Sequence, residues 1–403
     1  MTPKDYMDRE SRYGAHNYHP LPVVLDRGEG AFVWDVEGKK YYDFLSAYSA
    51  VNQGHCHPKI VNALVEQAQK LTLTSRAFYN SVLGEYEEYI TKYFGYDKVL
   101  PMNTGAEADE TAIKLCRKWA YQKKGIEDNK AKIIVCENNF HGRTTTIISM
   151  STDPVAKNEF GPYTPGFEII PYNDINALEK ALQDPNVAGF LFEPIQGEAG
   201  VFLPDEGYLK KSYDLCKKHN VLYIADEVQT GIARTGKLLA CDHENVKPDI
   251  LILGKAISGG VIPVSAVLAN DEIMLCIKPG EHGSTFGGFP LAGKVAMAAL
   301  EVVKEEKLAE RAEYLGKIFR DQMKSIKSDM IELVRGKGLL NAVVINPKNG
   351  KEAWDVCVEM ANNGVLAKPT HQHIIRFAPP LVISEEDLLD ACQRIKASLA
   401  KFE

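Results

Sequence analysis

Short apolar runs alternate with amphipathic segments between about residue 100 and residue 270. The runs predict buried strands, and helical spacing predicts helices between some of them. The strands are Lys132–Cys136, Ala188–Glu193, Val221–Asp226, Asp249–Leu253 and Val264–Leu268, and two of the helices are Asn176–Leu182 and Tyr208–His219. Because such alternation is typical of a mostly parallel sheet with helices on both faces, we expect an α/β fold.

The pattern differs on both sides of this region. Residues 1–30 are too rich in proline for a helix, so we expect an extended arm there. Further predicted elements are the strands Phe32–Asp35, Lys40–Asp43, Leu339–Ile345 and Ile374–Phe377, and the helices after Pro58 and at Ser81–Phe94, Asp109–Gln122, Leu291–Ile326, Glu352–Asn362 and Glu385–Phe402. Ser384 and Asp387 predict a capping box for the last helix.

These elements suggest three parts of unequal size. Residues 1–48 would form an N-terminal arm and a segment that joins the small domain. Residues 49–290 would form the large domain around the mostly parallel sheet. Residues 291–403 would form a long helix and a smaller α+β domain.

Composition narrows the class of protein. The 403 residues are 45% hydrophobic and 25% charged, which is ordinary for a soluble globular protein. A net charge of −7 disfavours a nucleic-acid partner, and no apolar run approaches the ~20 residues that a membrane helix needs. The N-terminus lacks the apolar core of a signal peptide, which predicts a cytoplasmic protein, or a mitochondrial one if a leader has been removed.

The cysteine and histidine pattern predicts neither disulfides nor a metal site. The eight cysteines contain no CxxC pair, and several lie in apolar segments, so buried free thiols are expected. His55, Cys56 and His57 could ligate zinc, but no second cluster follows at finger spacing.

The candidate chemistry centres on Lys255, which follows the apolar run Ile250–Leu253 and Gly254. Asp226 ends another predicted strand, and the carboxyl ends of strands in open α/β sheets are where ligands bind. A lysine and an acid facing one pocket suit pyridoxal 5'-phosphate (PLP), because the lysine forms a Schiff base and the carboxylate holds the ring nitrogen protonated. The alternative at this point is a solvated lysine and a helix-capping aspartate.

Three other segments have a functional and a structural interpretation. The stretch Asn103–Ala108 precedes a helix and could bind phosphate or simply cap the helix. Phe140 could stack on a flat ring and Arg143 could take a carboxylate, or they could be a core aromatic and a surface cation. Glu193 and Glu198 could be acid/base groups or could orient other side chains.

Residues 231–237 favour a different class of protein. Gly231, Gly236 and Lys237 match the spacing of a nucleotide-binding P-loop, which would indicate an ATPase. Leu238 stands where a magnesium-binding hydroxyl is required, and Asp226 and the glutamate after it would repel phosphates.

The whole chain resembles the class III (fold type I) PLP-dependent aminotransferases. The segments that carry the resemblance run nearly end to end: YGAHNYHPLPVV, SAYSAVNQGHCHPKIVNAL, LTSRAFYN, MNTGAEADETA, EPIQGEAGV, IADEVQTGIARTG, LGKAISGG, PGEHGSTFGG, RGKGLL and IIRFAPPLVI. The arm with Tyr18 and the LTSRAFYN and GEHGST segments are similar to the members that act on L-ornithine.

The resemblance implies a cofactor site. Lys255 would hold PLP, Asp226 would pair with the pyridine nitrogen, and Gln229 would reach the phenolic oxygen. Gly105 and Ala106 would bind the phosphate, with Ser284 and Thr285 arriving from the second subunit of a homodimer. The other implied cofactor-binding residues are Phe140, which would stack on the ring, His141, Glu193 and Val228.

The resemblance also implies a substrate site and a reaction. Tyr18, Tyr48 and Arg143 would hold the substrate, Arg376 would take the α-carboxylate of glutamate, and Glu198 would cover Arg376 while ornithine binds. The δ-amino group of L-ornithine would pass to 2-oxoglutarate, giving L-glutamate 5-semialdehyde, which cyclises to pyrroline-5-carboxylate, and L-glutamate. Lys255 would shuttle the proton. Acetylornithine or 4-aminobutyrate transamination, the ATPase and a catalytically dead protein of this fold are the rivals.

Three residues depart from the pattern of the ornithine-specific members. His141 stands where many of them have Trp, and the FHGR segment also suits acetylornithine enzymes. Phe289 replaces an expected Asn. Asp109 replaces a small residue at the start of the phosphate helix, and we expect its side chain to point outward.

Overall fold

Three β-sheets organise the chain in the computed structural model, which describes residues 1–402. The strands are β1 Leu25–Glu29, β2 Phe32–Asp35, β3 Lys40–Asp43, β4 Lys98–Met102, β5 Lys132–Cys136, β6 Phe167–Ile170, β7 Val187–Phe192, β8 Leu222–Asp226, β9 Ile250–Leu253, β10 Ser265–Ala269, β11 Ile331–Lys337, β12 Leu340–Ile345, β13 Val365–Leu366, β14 Lys368–Thr370 and β15 Ile374–Phe377.

Helices cover the sheets and connect their strands. They are Pro3–Tyr13, Pro58–Lys70, Leu83–Phe94, Gly105–Trp119, Thr145–Ser149, Pro154–Lys157, Ile175–Ala181, Tyr208–Lys218, Asp271–Met274, Pro290–Glu305, Leu308–Ser325, Ala353–Asn362 and Glu385–Ala400. Ala120–Lys124 forms a π-helical turn, and Ala240–Glu244 and Lys255–Ser258 form 3-10 turns. Ser46–Ser49 is a left-handed turn, since φ is positive at all four residues.

The largest sheet has seven strands in the order β4-β10-β9-β8-β7-β5-β6. Strands β5 to β9 run parallel to one another, whereas β10 is antiparallel to both of its neighbours. The four-residue strand β9 is buried throughout, as its uninterrupted apolar run predicts. The α/β fold predicted from the sequence is confirmed. Its parallel pairing of β8 with β9 brings Asp226 and the segment after Leu253 to the same sheet edge.

Two four-stranded sheets are formed by the strands before residue 44 and after residue 330. One has the order β1-β2-β3-β13, in which Val365 of β13 pairs in parallel with Tyr42 of β3. The other has the order β11-β12-β15-β14 and is antiparallel throughout. The N-terminal strands therefore share a sheet with a strand of the C-terminal region. The domain boundaries at residues 48 and 290 remain a prediction.

Several elements differ from the prediction. Residues 1–30 are not extended throughout, because Pro3–Tyr13 is a helix whose N-cap Thr2 and Asp5 form a capping box. The predicted helix over 291–326 is two helices, separated where Lys307 has a φ of +51°. The helix predicted from Asp109 begins earlier, at Gly105.

A fully buried arginine links segments that are far apart in sequence. The Arg234 guanidinium donates to Asn52 Oδ1 and to the backbone oxygens of Leu339 and Pro379, at 3.1, 3.0 and 2.7 Å respectively. Burial lowers its pKa to about 9. Each of these acceptors is neutral, so the arginine is held by hydrogen bonds rather than by an ion pair.

The cysteines and the helices can be described in terms of thiol state and length. All eight cysteines are free thiols, and of them Cys56 is exposed. Among residues 1–402, no helix is both long and apolar enough to span a bilayer.

Candidate active site

A cavity of about 170 Å³ lies at the carboxyl ends of the parallel strands. This is the edge at which open α/β sheets bind ligands. Its lining residues are Gly105, Ala106, Asp109, Phe140, His141, Gly142, Glu193, Asp226, Val228, Gln229 and Lys255. The structure therefore brings together nine of the eleven residues predicted to bind the cofactor. Ser284 and Thr285 lie outside this lining.

Lys255 follows β9 and begins a 3-10 turn. Its φ is +44°, a backbone conformation that is strained for a residue with a side chain and that is often kept at functional sites. Burial lowers the pKa of its amine, while the nearby carboxylates of Asp226, Glu193 and Glu198 oppose that shift. A lysine with a lowered pKa has a larger fraction of neutral amine, which is the nucleophilic form.

Asp226 ends β8 and is fixed by two hydrogen bonds. Its Oδ1 accepts from the backbone N–H of Val228 at 2.9 Å, and its Oδ2 lies 2.7 Å from His141 Nδ1. Burial lowers the pKa of His141, but the hydrogen bond to Asp226 and the charges of Asp226 and Glu193 outweigh it, so the pKa is raised. The sequence assigned His141 to the cofactor site without a partner, and the structure supplies one.

Asp109 does not point outward, which corrects the sequence-based expectation. Its residue is 1% exposed, and its Oδ1 lies 3.7 Å from His141 Nδ1. Burial, followed by the charges of Asp226 and Glu193, raises its pKa well above the usual value. A signal was present in the sequence, because Asp109 lies three, four and seven residues before Ala112, Ile113 and Cys116 on the buried face of its helix.

The N-terminus of the helix Gly105–Trp119 opens onto the cavity. The N-cap Thr104 accepts from the backbone of Glu107 at 3.2 Å, and Glu107 accepts from the backbone of Thr104 at 2.8 Å. This capping box leaves Gly105 and Ala106 as the first-turn residues beside the cavity, where amides and the helix dipole favour an anion.

Glu193 connects the two loops that border the cavity. Its carboxylate accepts from the backbone N–H of Phe140 at 2.9 Å and of Gly197 at 3.3 Å. Burial is the main cause that raises its pKa to about 7. Of the two interpretations that the sequence left open, this geometry favours a glutamate that orients other groups.

A buried arginine next to the cavity is covered by a glutamate. Arg376 Nη1 donates to Glu198 Oε2 at 2.8 Å, and the guanidinium lies 5.0 Å from the centre of the Tyr48 ring. Arg376 is 5% exposed, whereas the Glu198 side chain is 31% exposed. The pair has the composition that the sequence predicts for a carboxylate site with a removable cover.

Two residues that the sequence did not single out hold the Glu198 loop. Thr370 donates its hydroxyl to the backbone oxygen of Glu198 at 2.9 Å. Arg335 donates twice to the backbone oxygen of Gly200, at 3.0 and 2.8 Å, and its guanidinium lies 3.9 Å from the Phe202 ring centre. Both lie on strands of the C-terminal sheet, so only the folded topology reveals them.

The other predicted substrate residues lie at the exposed margin. Tyr18 is 75% exposed and Arg143 is exposed, with its guanidinium 5.9 Å from the Phe140 ring centre. The pKa of Tyr48 is raised chiefly by burial. Tyr18 raises this pKa further, whereas the charge of Arg143 lowers it. The roles of these residues remain predictions.

The two residues predicted to come from a second subunit lie beside the phosphate helix. Ser284 Oγ accepts from the side chain of Asn103 at 2.8 Å, and Thr285 is exposed. Asn103 is two residues before Gly105, so Ser284 lies near the N-terminus of that helix in its own chain.

The residues at this site fit PLP. Glycine at position 105 lets the start of the helix lie against Val228 in the cavity wall, because a Cβ there would lie 2.9 Å from Val228 Cγ1. The donor set pairs an amine that can react with an aldehyde, a carboxylate that can face a pyridine nitrogen, an aromatic ring and a helix N-terminus. Asp109 Oδ1 and His141 Nε2 are buried polar atoms without a hydrogen-bond partner among residues 1–402.

The P-loop interpretation is wrong for this segment. Residues 228–236 form turns, and a 3-10 turn, Ala240–Glu244, follows instead of a helix that would present its N-terminus to phosphates. Arg234 at its centre is fully buried in the contacts described above.

Comparisons with known proteins agree with this site. The sequence profile of the family described as Aminotransferase class-III matches residues 13–399. The ornithine aminotransferase, mitochondrial, of Drosophila ananassae is 65% identical over 97% of this chain and 90% of the relative.

Solved structures give the same result for the fold. A Toxoplasma gondii ornithine aminotransferase, described with PLP at partial occupancy in its active site, has a TM-score of 0.98 at 52% identity and covers 100% of this chain and 95% of its own. An acetylornithine aminotransferase of Elizabethkingia anophelis has a TM-score of 0.92 at 64% identity over 100% of both chains. With its Lys255 and Asp226 at the same sheet edge, this chain belongs to the class-III aminotransferase family.

Proposed function

We propose that this protein is a PLP-dependent aminotransferase that transfers the δ-amino group of L-ornithine to 2-oxoglutarate. The products are L-glutamate 5-semialdehyde, which cyclises to pyrroline-5-carboxylate, and L-glutamate. The observation that carries the proposal is the Arg376–Glu198 pair next to the cavity of Lys255 and Asp226. The ornithine aminotransferases at 65% and 52% identity support this substrate.

The cofactor and Lys255 divide the chemistry. When bound, PLP supplies an aldehyde for exchange of amines and a ring that accepts the electron pair of a broken C–H bond. Lys255, whose pKa is lowered mainly by burial, would act in its neutral form, taking the proton from Cδ of ornithine and delivering it to the carbon that carried the cofactor's aldehyde. The hydrogen bonds that Asp226 accepts from the backbone N–H of Val228 and from His141 would hold its carboxyl group in place towards the ring nitrogen.

Arg376 and Glu198 let one pocket accept two kinds of substrate. Glutamate reacts at its α-amine, so its α-carboxylate needs a cation close to the reacting centre. Ornithine reacts at its distal amine, and an uncovered Arg376 would draw its α-carboxylate to the wrong place. Glu198 neutralises Arg376 while ornithine binds and moves aside for the α-carboxylate of glutamate or 2-oxoglutarate.

The outer part of the pocket holds the rest of ornithine. Tyr48 lies against Arg376, and Tyr18 and Arg143 lie towards the opening. In this proposal Arg143 binds the α-carboxylate of ornithine, and the two tyrosines orient its α-amine. The distance between this margin and Lys255 then selects the distal amine for reaction.

The proposal includes a homodimer with shared active sites. Thr285 is exposed next to Ser284, so its hydroxyl is accessible to a neighbouring subunit, and two-fold dimers are the commonest oligomers. The cytoplasmic location also stays a proposal, since the relative from Drosophila ananassae is named mitochondrial.

Acetylornithine is the second candidate amine donor. The acetylornithine aminotransferase of Elizabethkingia anophelis is 64% identical over the full chain, and the FHGR segment suits such enzymes. N-acetylation removes the charge of the α-amine, so the two donors differ at the margin that contains Tyr18 and Tyr48.

The visible spectrum of the purified protein tests the proposal. L-Ornithine should convert the bound cofactor to its amino form faster than N-acetyl-L-ornithine or 4-aminobutyrate at equal concentration, and 2-oxoglutarate should restore the original band. A protein that shows no visible band even after incubation with added PLP is no PLP enzyme. Faster conversion by the acetylated donor would transfer the assignment to that substrate.

A further inference from the structure

Asp109 adds a second carboxyl group to the site where Asp226 alone would be enough to pair with a ring nitrogen. Asp109, His141 and Asp226 each place one side-chain nitrogen or oxygen atom within 4.8 Å of those of the other two. Asp226 uses both oxygens, towards Val228 and His141, whereas Asp109 Oδ1 has no hydrogen-bond partner among residues 1–402. Asp109 is 1% exposed and lines the same cavity. A buried oxygen without a partner is costly, so this one calls for an explanation.

The groups that face Asp109 come from four other segments and from its own helix. They are His141 after β5, Glu193 after β7, Asp226 at the end of β8, Lys255 after β9, and Glu110 on the same helix. Three of these five are carboxyl groups, and like charges in a buried site oppose a further ionisation. His141 is shared, since its Nδ1 already bonds Asp226 at 2.7 Å and lies 3.7 Å from Asp109. A neutral Asp109 is therefore favoured while no further cation is present.

We propose that Asp109 is a charge-balancing residue of the ring-nitrogen site, which keeps a proton while the cofactor is absent and releases it when a protonated ring nitrogen binds against Asp226. The O–H bond of the Asp109 carboxyl breaks, the electron pair stays on the oxygen, and the proton leaves to solvent. The net charge of the site then changes little when PLP binds. Asp109 acts through His141 and Asp226 and is a positioning residue. The inference relies on the proposed cofactor site.

Direct proton counting tests this role without relying on turnover. The cofactor-free protein would be titrated with PLP in a pH-stat, for the parent and for Asp109→Asn, which has nearly the same shape but cannot ionise. The parent should release an additional proton per site relative to the variant. Because a released proton makes binding tighter as pH rises, PLP affinity of the parent should increase with pH more steeply, by up to about tenfold per pH unit over the range where Asp109 titrates.

Two controls separate this role from packing. Glu110→Gln removes the neighbouring carboxylate of the same helix, whose charge acts on Asp109 least among the carboxylates named above, and should keep most of the proton release of the parent. Asp109→Ala, measured with circular dichroism to confirm folding, should match Asp109→Asn in proton release even if its stability differs. If Asp109→Asn binds PLP with the same proton release and the same pH dependence as the parent, Asp109 only fills space. Failure of the parent to bind PLP would instead refute the proposed function.

Discussion

Replacing Glu198 by Gln should change the preference between the two substrates rather than the activity as a whole. The substitution keeps a side chain of the same length next to Arg376 but removes its charge. Charge-assisted hydrogen bonds contribute about 1.5–3 kcal/mol net. Arg376 is 5% exposed, which places the 2.8 Å pair in the upper part of this range, but Glu198 is 31% exposed, so solvent reduces the value.

A loss of about 2 kcal/mol corresponds to a rate factor of roughly 30, since 1.36 kcal/mol is tenfold. We therefore expect the half-reaction with glutamate to speed up by ten- to thirtyfold. The half-reaction with ornithine should slow by a similar factor, because the uncovered Arg376 captures its α-carboxylate.

Stopped-flow measurement of each half-reaction in a single turnover separates these effects, because the cofactor absorbance reports each substrate alone. Thr370→Val is the matched control, since it removes the tether to the Glu198 backbone and leaves the charge in place. The control should slow both half-reactions alike. Equal slowing of both by Glu198→Gln, or the same change of preference in Thr370→Val, would refute the role of Glu198 as a cover.

Three further predictions address the cofactor, the assembly and pH. Borohydride reduction should fix PLP to Lys255, which peptide mapping can verify, and a label on another lysine would overturn the assignment of the site. Thr285→Ala should weaken PLP retention in equilibrium dialysis, and dilution to a monomer should abolish activity; a fully active monomer contradicts the shared site. Glu193 has a pKa raised from 4.5 to about 7, chiefly by burial, so its contribution to stability is present below about pH 4.5 and is lost as pH rises to 7. The free energy of unfolding by urea of the cofactor-free protein should therefore decline over that range by more in the parent than in Glu193→Gln, with a difference on the order of 3 kcal/mol; the same decline in both proteins would mean that Glu193 is ionised throughout.

The local pattern of apolar residues was sufficient to predict the strands that are buried on all sides. The strand predicted at Lys132–Cys136 has those bounds in the structure, and the strand of Ile250–Leu253 differs by one residue from its prediction. Their uninterrupted apolar runs leave a buried strand as the physical solution. The helix at Pro3–Tyr13 was not predicted because the prolines further along the arm outweighed its start signals, which are the cap formed by Thr2 and Asp5 and the proline at the first helical position.

The candidate site was predictable as a set of residues but not as a set of contacts. Lys255 and Asp226 follow strands, so their convergence at one sheet edge could be inferred from the pattern. The partners Thr370 and Arg335 come from the C-terminal sheet, and nothing local in their sequence indicates the loop that they hold. The prediction that Asp109 points outward was wrong, because a charged side chain favours exposure whereas the position of Asp109 in the helix places it on the buried face.

The turn around Arg234 explains why this chain matches the spacing of a P-loop without being a nucleotide-binding protein of that class. Gly236 has a φ of +92°, and a Cβ there would lie 3.0 Å from Glu313 Cβ on a neighbouring helix, so the backbone conformation and the close packing together favour glycine. Arg234 in turn fixes the chain between Gly231 and Gly236 through backbone oxygens on other segments. Any homologue that keeps this turn will preserve the two glycines at P-loop spacing, so a screen by that spacing alone will return such chains as false positives. Requiring a hydroxyl after the lysine, where this chain has Leu238, would exclude them.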